Sequence, residues 1–209
     1  MSIKKKYFVV FLVVIMAGSF FSYKKTHQRP DLRSAYVLQQ PIELPDFSLI
    51  NQEEKPVNKD TFMGQWDLVF FGFTNCPDIC PTTMQTLNQA KQELKKSNFK
   101  QIPRIVLVSV DPERDSPAML GKYIDYFGEG NIAVTGNTDE LIKLTKALGI
   151  YFEKAITSSK NYAVNHSAAV LLINPAAEFS ALFSAPHKIE NYINDLQQIL
   201  GGANEIRDK

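Results

Sequence analysis

Cysteine and histidine are scarce in this 209-residue chain, which holds two of the first and three of the second. Two cysteines exclude an iron–sulfur cluster held by four. They also leave a structural zinc site short of its usual four ligands, at a spacing that does not suit one. Low-complexity tracts and repeat periods are missing, which excludes a solenoid. Methionines beyond the first 25 residues stand singly as Met63, Met84 and Met119 and form no metal-binding run; Met84 and Met119 read as core. A basic excess is missing too. Five of the 23 basic residues lie in residues 1–25, which leaves 18 against 22 acidic residues, a net charge of about −4. A nucleic-acid binder would carry a basic face, so that class is set aside.

What the chain does have is one long apolar run. Residues 7–23, YFVVFLVVIMAGSFFSY, carry no charge over 17 residues, between Lys4–Lys6 and Lys24–Lys25. At ~1.5 Å per residue this run just spans a thin bilayer. Ala17-Gly18-Ser19 resembles a small-residue cleavage site, but Phe20 and Phe21 extend the apolar run past it. The expectation is an uncleaved signal anchor over residues 1–25. Its lysines stay in the cytoplasm, and the remainder is exported. No cysteine is present there for a lipid anchor, and no Arg-rich, acid-poor leader precedes the run. A bacterial inner membrane with the carboxyl-terminal domain in the periplasm fits best.

Residues 26–43 then read as a tether, 44–200 as one domain and 201–209 as a flexible tail. PDFSLIN with a turn at QEEKP suggests a short hairpin. Residues 67–73, 104–110 and 167–175 are apolar runs bounded by turn signals, as expected of buried strands. Met84, Leu87, Ala90 and Leu94 fall at helical spacing. Ser116 with Pro117, and Thr138 with Gly149, mark the ends of two further helices. PHKIENYINDLQQIL is a closing helix that Gly201-Gly202 should stop. Strands alternating with helices predict a mixed α/β sheet with helices on both faces. In such sheets, sites lie beyond the carboxyl ends of the strands, where Cys76 and Asp111 fall.

Both cysteines lie in FGFTNCPDICPTTM, residues 71–84, as Cys76 and Cys80. Pro81 should keep Cys80 out of a regular helix and suits a first helical position itself. That puts both cysteines in a turn at a helix amino end, where free N–H groups favour thiolate. Thiolate attacks disulfides and binds metals, and an oxidising compartment also permits a plain disulfide. Two soft sulfurs favour Cu(I), zinc or a cluster. Copper accepts two thiolates plus one or two nitrogens, so a histidine would have to complete the site. His27 sits in the tether, and His187 reads as an exposed residue at the start of the last helix. His166 stands directly before an apolar strand, where a hydrogen-bonded structural histidine competes with a ligand. DPERDSP, residues 111–117, reads first as a turn with a capped helix.

FGFTNCPDICPTTM, VSVDPERDSP and VNHSAAVLLINP occur in that order. Together they closely resemble the Sco (SenC) family of copper-binding proteins that help assemble cytochrome c oxidase. The resemblance covers about Leu44 to Leu200. It implies a thioredoxin-like fold and copper, as Cu(I) and Cu(II), held by Cys76, Cys80 and His166. Implied partners are the copper-receiving subunit of the oxidase and other copper chaperones or thiol reductases. Family members are linked both to copper delivery and to reduction of the oxidase's copper-site cysteines; in the second role Cys76 and Cys80 are catalytic. Asn75 stands where histidine is frequent in the family, and Asn165 where aspartate is frequent, which removes a carboxylate that could orient His166. A peroxiredoxin-like reading fits poorly, because Thr74 lies only two residues before Cys76.

Overall fold

Leu68–Phe71 is apolar throughout, and in the computed structural model every residue of strand β4 (Asp67–Gly72) is buried. Such a run is stable only at the centre of a sheet covered on both faces. The structure describes Met16 and residues 31–156 and 162–207. The apolar run 7–23, the Ala17-Gly18-Ser19 segment and His27 lie outside these residues, apart from Met16. Among the described residues no helix is long and apolar enough to cross a membrane.

In chain order the elements are β1 (Ala35–Glu43), β2 (Leu49–Asn51), β3 (Pro56–Val57), β4, α1 (Ile79–Lys96), β5 (Arg104–Ser109), α2 (Pro117–Asp125), β6 (Ile132–Thr135) and α3 (Thr138–Ala147). They continue with β7 (Phe152–Ile156), β8 (Tyr162–His166), β9 (Val170–Ile173), β10 (Glu178–Phe183) and α4 (Ile189–Arg207). Eight strands form one sheet in the order β1-β10-β9-β4-β5-β6-β2-β3. β4, β5 and β6 run parallel, joined through α1 and α2, while β9 lies antiparallel on the other side of β4. β7 and β8 form a separate two-stranded hairpin.

Alternation along β4 assigns its two faces. Val69 and Phe71 line an apolar pocket with Leu144 and Leu148 at the end of α3. Phe70 and Gly72 face the other way, toward Cys80 in the first turn of α1. Helices therefore cover both faces, and the architecture is the expected thioredoxin-like α/β sheet. The α1 stripe Cys80, Thr83, Met84, Leu87, Ala90, Lys91, Leu94 is buried at helical spacing. Ser116 caps α2 by accepting from Met119 N–H, with Pro117 next. Gly149 ends α3 at φ +68°.

Several boundaries differ from expectation. Residues 35–43, expected as tether, form β1, which pairs antiparallel with β10. Most of its side chains are exposed, so this edge strand lacks an apolar alternation; backbone pairing holds it. Asp195 of α4 anchors its start by accepting from the N–H groups of Arg33, Ser34 and Ala35 at 2.8–2.9 Å. Asn137, not Thr138, caps α3 and accepts from Asp139 N–H at 2.7 Å. The α4 helix passes through Gly201 and Gly202 to Arg207, into the segment expected as a tail. Each glycine costs a helix only about 1 kcal/mol, and the buried Tyr192, Leu196 and Leu200 hold the preceding turns. Met119 is exposed rather than core. β6 and the β7–β8 hairpin were not legible in the apolar pattern, being a four-residue strand and two short strands, FEKAI and YAVNH, that each mix polar and apolar residues.

Candidate metal centre

The carboxyl end of β4 leads through Phe73-Thr74-Asn75 into Cys76, as expected for a site beyond a strand end. Cys80 differs from expectation, since it lies inside the first turn of α1 with Pro81 as the next helical residue. A proline is tolerated there because the first N–H groups of a helix have no intrahelical partner to lose. One such free donor, the Cys80 N–H, points at Cys76 Sγ at 3.4 Å.

Gly72 explains how the second sulfur fits. A Cβ at this position would stand 2.9 Å from Cys80 Sγ and 2.9 Å from the Phe70 ring, so the sulfur occupies space only glycine leaves. Cys80 is fully buried, while Cys76 is 8% exposed and lines an open cleft of about 450 Å³. Ile79, Arg114 and Asn165 share that cleft.

His166 arrives from elsewhere in the chain, as the last residue of β8, opposite Phe152 in the hairpin. Its ring packs edge-on against Phe70 and Phe73, with centroids 5.8 and 5.7 Å away. Nδ1 lies 3.0 Å from the Ser167 carbonyl, which can only accept, so Nδ1 carries the hydrogen and donates. Nε2 is then left with its lone pair, 3.3 Å from Cys80 Sγ. The ligand atoms of Cys76, Cys80 and His166 all lie within 4.8 Å of one another. Asn165 is exposed at the cleft. The Ser167 carbonyl therefore orients the ring, a role the carboxylate absent at Asn165 could have filled.

Burial shapes the protonation of this group. It lowers the His166 pKa, which keeps the imidazole neutral and its Nε2 lone pair available at neutral pH. Burial also pushes the Cys80 thiol well up, helped by the adjacent Cys76 sulfur and opposed by a Phe73 backbone hydrogen bond. The expected thiolate preference at the helix end is thus overridden at Cys80 by desolvation. A cation held here would supply the missing opposite charge and take the place of the proton.

DPERDSP does more than cap a helix. Asp115 is buried, and Oδ2 accepts from the Thr74 N–H at 3.0 Å and the Ser109 hydroxyl at 2.6 Å. Its Oδ1 accepts from the Thr74 hydroxyl at 2.5 Å. Asp115 therefore ties the loop entering Cys76 to the end of β5. Arg114 pairs with buried Asp111, and its guanidinium lies 5.8 Å from the Phe73 ring centroid. The Thr74–Asp115 links were not visible in sequence, because the two residues are 41 positions apart.

The SCO1/SenC family model matches residues 37–201. The chain belongs to the Sco (SenC) family. A Stutzerimonas stutzeri protein provisionally named as copper-binding is 37% identical over 171 residues, covering 81% of this chain and 83% of its own. The Arabidopsis thaliana ScoI crystal structure with copper bound aligns at TM-score 0.68 and 31% identity, over 79% of this chain and 99% of that one. Bradyrhizobium japonicum ScoI, also with copper bound, aligns at TM-score 0.66 and 28% identity, over 75% and 98%. In Sco terms the sequence expectation named the three residues that the fold brings together. It missed Gly72, Asp115 and Ser167, which shape the site without belonging to the cluster of donor atoms, and misjudged His187. That residue is half-buried and bonded at both ring nitrogens.

Proposed function

We propose that this chain is a copper-binding metallochaperone that holds copper, as its cargo, through Cys76 Sγ, Cys80 Sγ and His166 Nε2. The mutual approach of these three atoms within 4.8 Å supports the reading most directly. Thiolate and imidazole bonds to a first-row ion such as zinc run about 2.0–2.3 Å, so a trigonal site puts its donors roughly 3.5–4 Å apart. Only a small contraction is needed. Two thiolates suit Cu(I), and the added imidazole extends the site to Cu(II). The open cleft on the Cys76 side gives a partner access to the metal, as transfer requires. The recipient is the copper-receiving subunit of cytochrome c oxidase, following the family resemblance and the similarity to copper-bound Sco structures.

The purified full-length chain, reduced, should bind one copper ion per molecule on titration with Cu(I). After mild oxidation it should bind none, with no free thiol left once unfolded. Cys76 and Cys80 share one turn, and a disulfide between them consumes both sulfur ligands. Two free thiols after oxidation, or unchanged copper binding, would contradict the site.

A second use of the same sulfurs follows from their unequal exposure. Cys76 at the cleft can attack a partner disulfide, and buried Cys80 can resolve the mixed disulfide. The partner leaves with two thiols, and the Cys76–Cys80 disulfide takes their place. This reductase reading needs no histidine.

Residues 7–23 anchor the chain in a bacterial inner membrane, and the Sco domain lies in the periplasm. The lysine-flanked apolar run supports this. A carboxyl-terminal reporter that works only outside the cytoplasm should be active, whereas activity of a cytoplasm-only reporter would refute the topology.

A further inference from the structure

We propose that His187 is a positioning residue for His166, a role that rests on the copper-binding reading above. His187 lies two residues before α4, far from the cysteines in sequence. Its Nε2 is 2.7 Å from the Ala168 carbonyl, which can only accept, so Nε2 carries the hydrogen and donates. Nδ1 is then an acceptor, and the Tyr192 hydroxyl donates to it at 2.9 Å. Tyr192 is itself immobilised, buried in α4 and stacked on Phe183 with centroids 4.6 Å apart. The relay from Tyr192 through His187 to Ala168 thus has its donors and acceptors matched at each step.

Its target matters because of where Ala168 stands. Residues 167–169 cross from the β7–β8 hairpin to β9 in the main sheet, outside either ladder. On the hairpin side the Ser167 N–H donates to the Tyr151 carbonyl at 2.9 Å. Within the crossing, the Ala169 N–H donates to Ser167 Oγ at 3.3 Å. His187 grips the crossing from the α4 side. The Ser167 and Ala168 carbonyls belong to successive peptides that share the Ala168 Cα. Holding the Ala168 carbonyl therefore restrains the Ser167 carbonyl, which is the group that fixes the His166 tautomer and aims Nε2 at the sulfurs.

The test compares His187→Ala, His187→Gln and Tyr192→Phe in the full-length chain, with His166→Ala alongside. Outer partners of a metal-binding histidine affect metal affinity by ~10–100-fold. At one further step, His187→Ala should weaken Cu(II) binding about tenfold. It should also shift the sulfur-to-copper charge-transfer band, while both thiols stay titratable. His187→Gln supplies an amide N–H to the same carbonyl and should restore most of the affinity and the band. Tyr192→Phe keeps the stacking, removes only the hydroxyl, and should fall between parent and His187→Ala. Parent-like affinity and spectrum in His187→Ala overturn the proposal, as does a loss that His187→Gln fails to restore. If His187→Ala does not fold, Tyr192→Phe decides: an unchanged affinity and band overturn it. Cu(II) binding that even His166→Ala leaves intact would instead overturn the copper site on which the proposal rests.

Discussion

His166→Ala should weaken Cu(II) binding at least ~10–100-fold, since losing a ligand costs no less than losing a ligand's own partner. The Cys76–Cys80 reduction potential should move far less. The geometry separates the two quantities. Nε2 lies 3.3 Å from Cys80 Sγ and is the nitrogen available to a metal, whereas disulfide chemistry involves the sulfurs and the Cys80 N–H that faces Cys76. Copper titration followed by the sulfur-to-copper band reads the first, and a thiol–disulfide redox titration reads the second. A strain carrying only His166→Ala separates the two functions. Failure to assemble an active oxidase, with recovery in excess copper, supports delivery. Normal assembly without added copper would make copper transfer through this site dispensable and favour the reductase reading. Cys76→Ser and Cys80→Ser abolish both activities and do not discriminate.

Asp115→Ala should destabilise the domain substantially, although Asp115 is not one of the three candidate ligands. Three donors converge on its carboxylate: the Thr74 N–H, the Thr74 hydroxyl and the Ser109 hydroxyl. Leaving a buried donor unpaired costs ~1–3 kcal/mol, so a total of about 3 kcal/mol is a modest expectation once the hydroxyls re-orient. For a domain of this size that lowers the melting midpoint by ~6–12 °C. Thr74 lies two residues before Cys76, so the freed loop should also release the sulfur and weaken Cu(I) binding. Thermal denaturation and Cu(I) competition measure the two effects. An unchanged melting midpoint would show that these hydrogen bonds contribute no net stability. The conservative Asp115→Asn keeps one acceptor and the side-chain shape, and should lie between.

The elements legible in sequence were those whose physics is local. β4, β5 and the α1 stripe stood out because central strands and amphipathic helices impose their burial period directly on the residues. Ser116-Pro117 and Gly149 marked helix ends for the same reason. The cysteine stretch, the DPERD stretch and the histidine before β9 also stood out as residue types in order, and they carried the family resemblance. Edge strand β1 and the β7–β8 hairpin left no such trace, since backbone pairing holds them without an apolar alternation.

Chemistry, the donor types and the fold class were thus determined by sequence. Tertiary structure decided how the donors meet and what holds them there. Only the fold sets Nε2 of His166 against Cys80 Sγ across 86 residues and puts Gly72 where a sulfur needs room. Only the fold buries Cys80 deeply enough for desolvation to outweigh the helix end, and turns His187 from an expected surface residue into a bonded one. Desolvation, close approach and long-range hydrogen bonds depend on what lies within a few ångströms in space. A one-dimensional pattern records only what lies nearby along the chain.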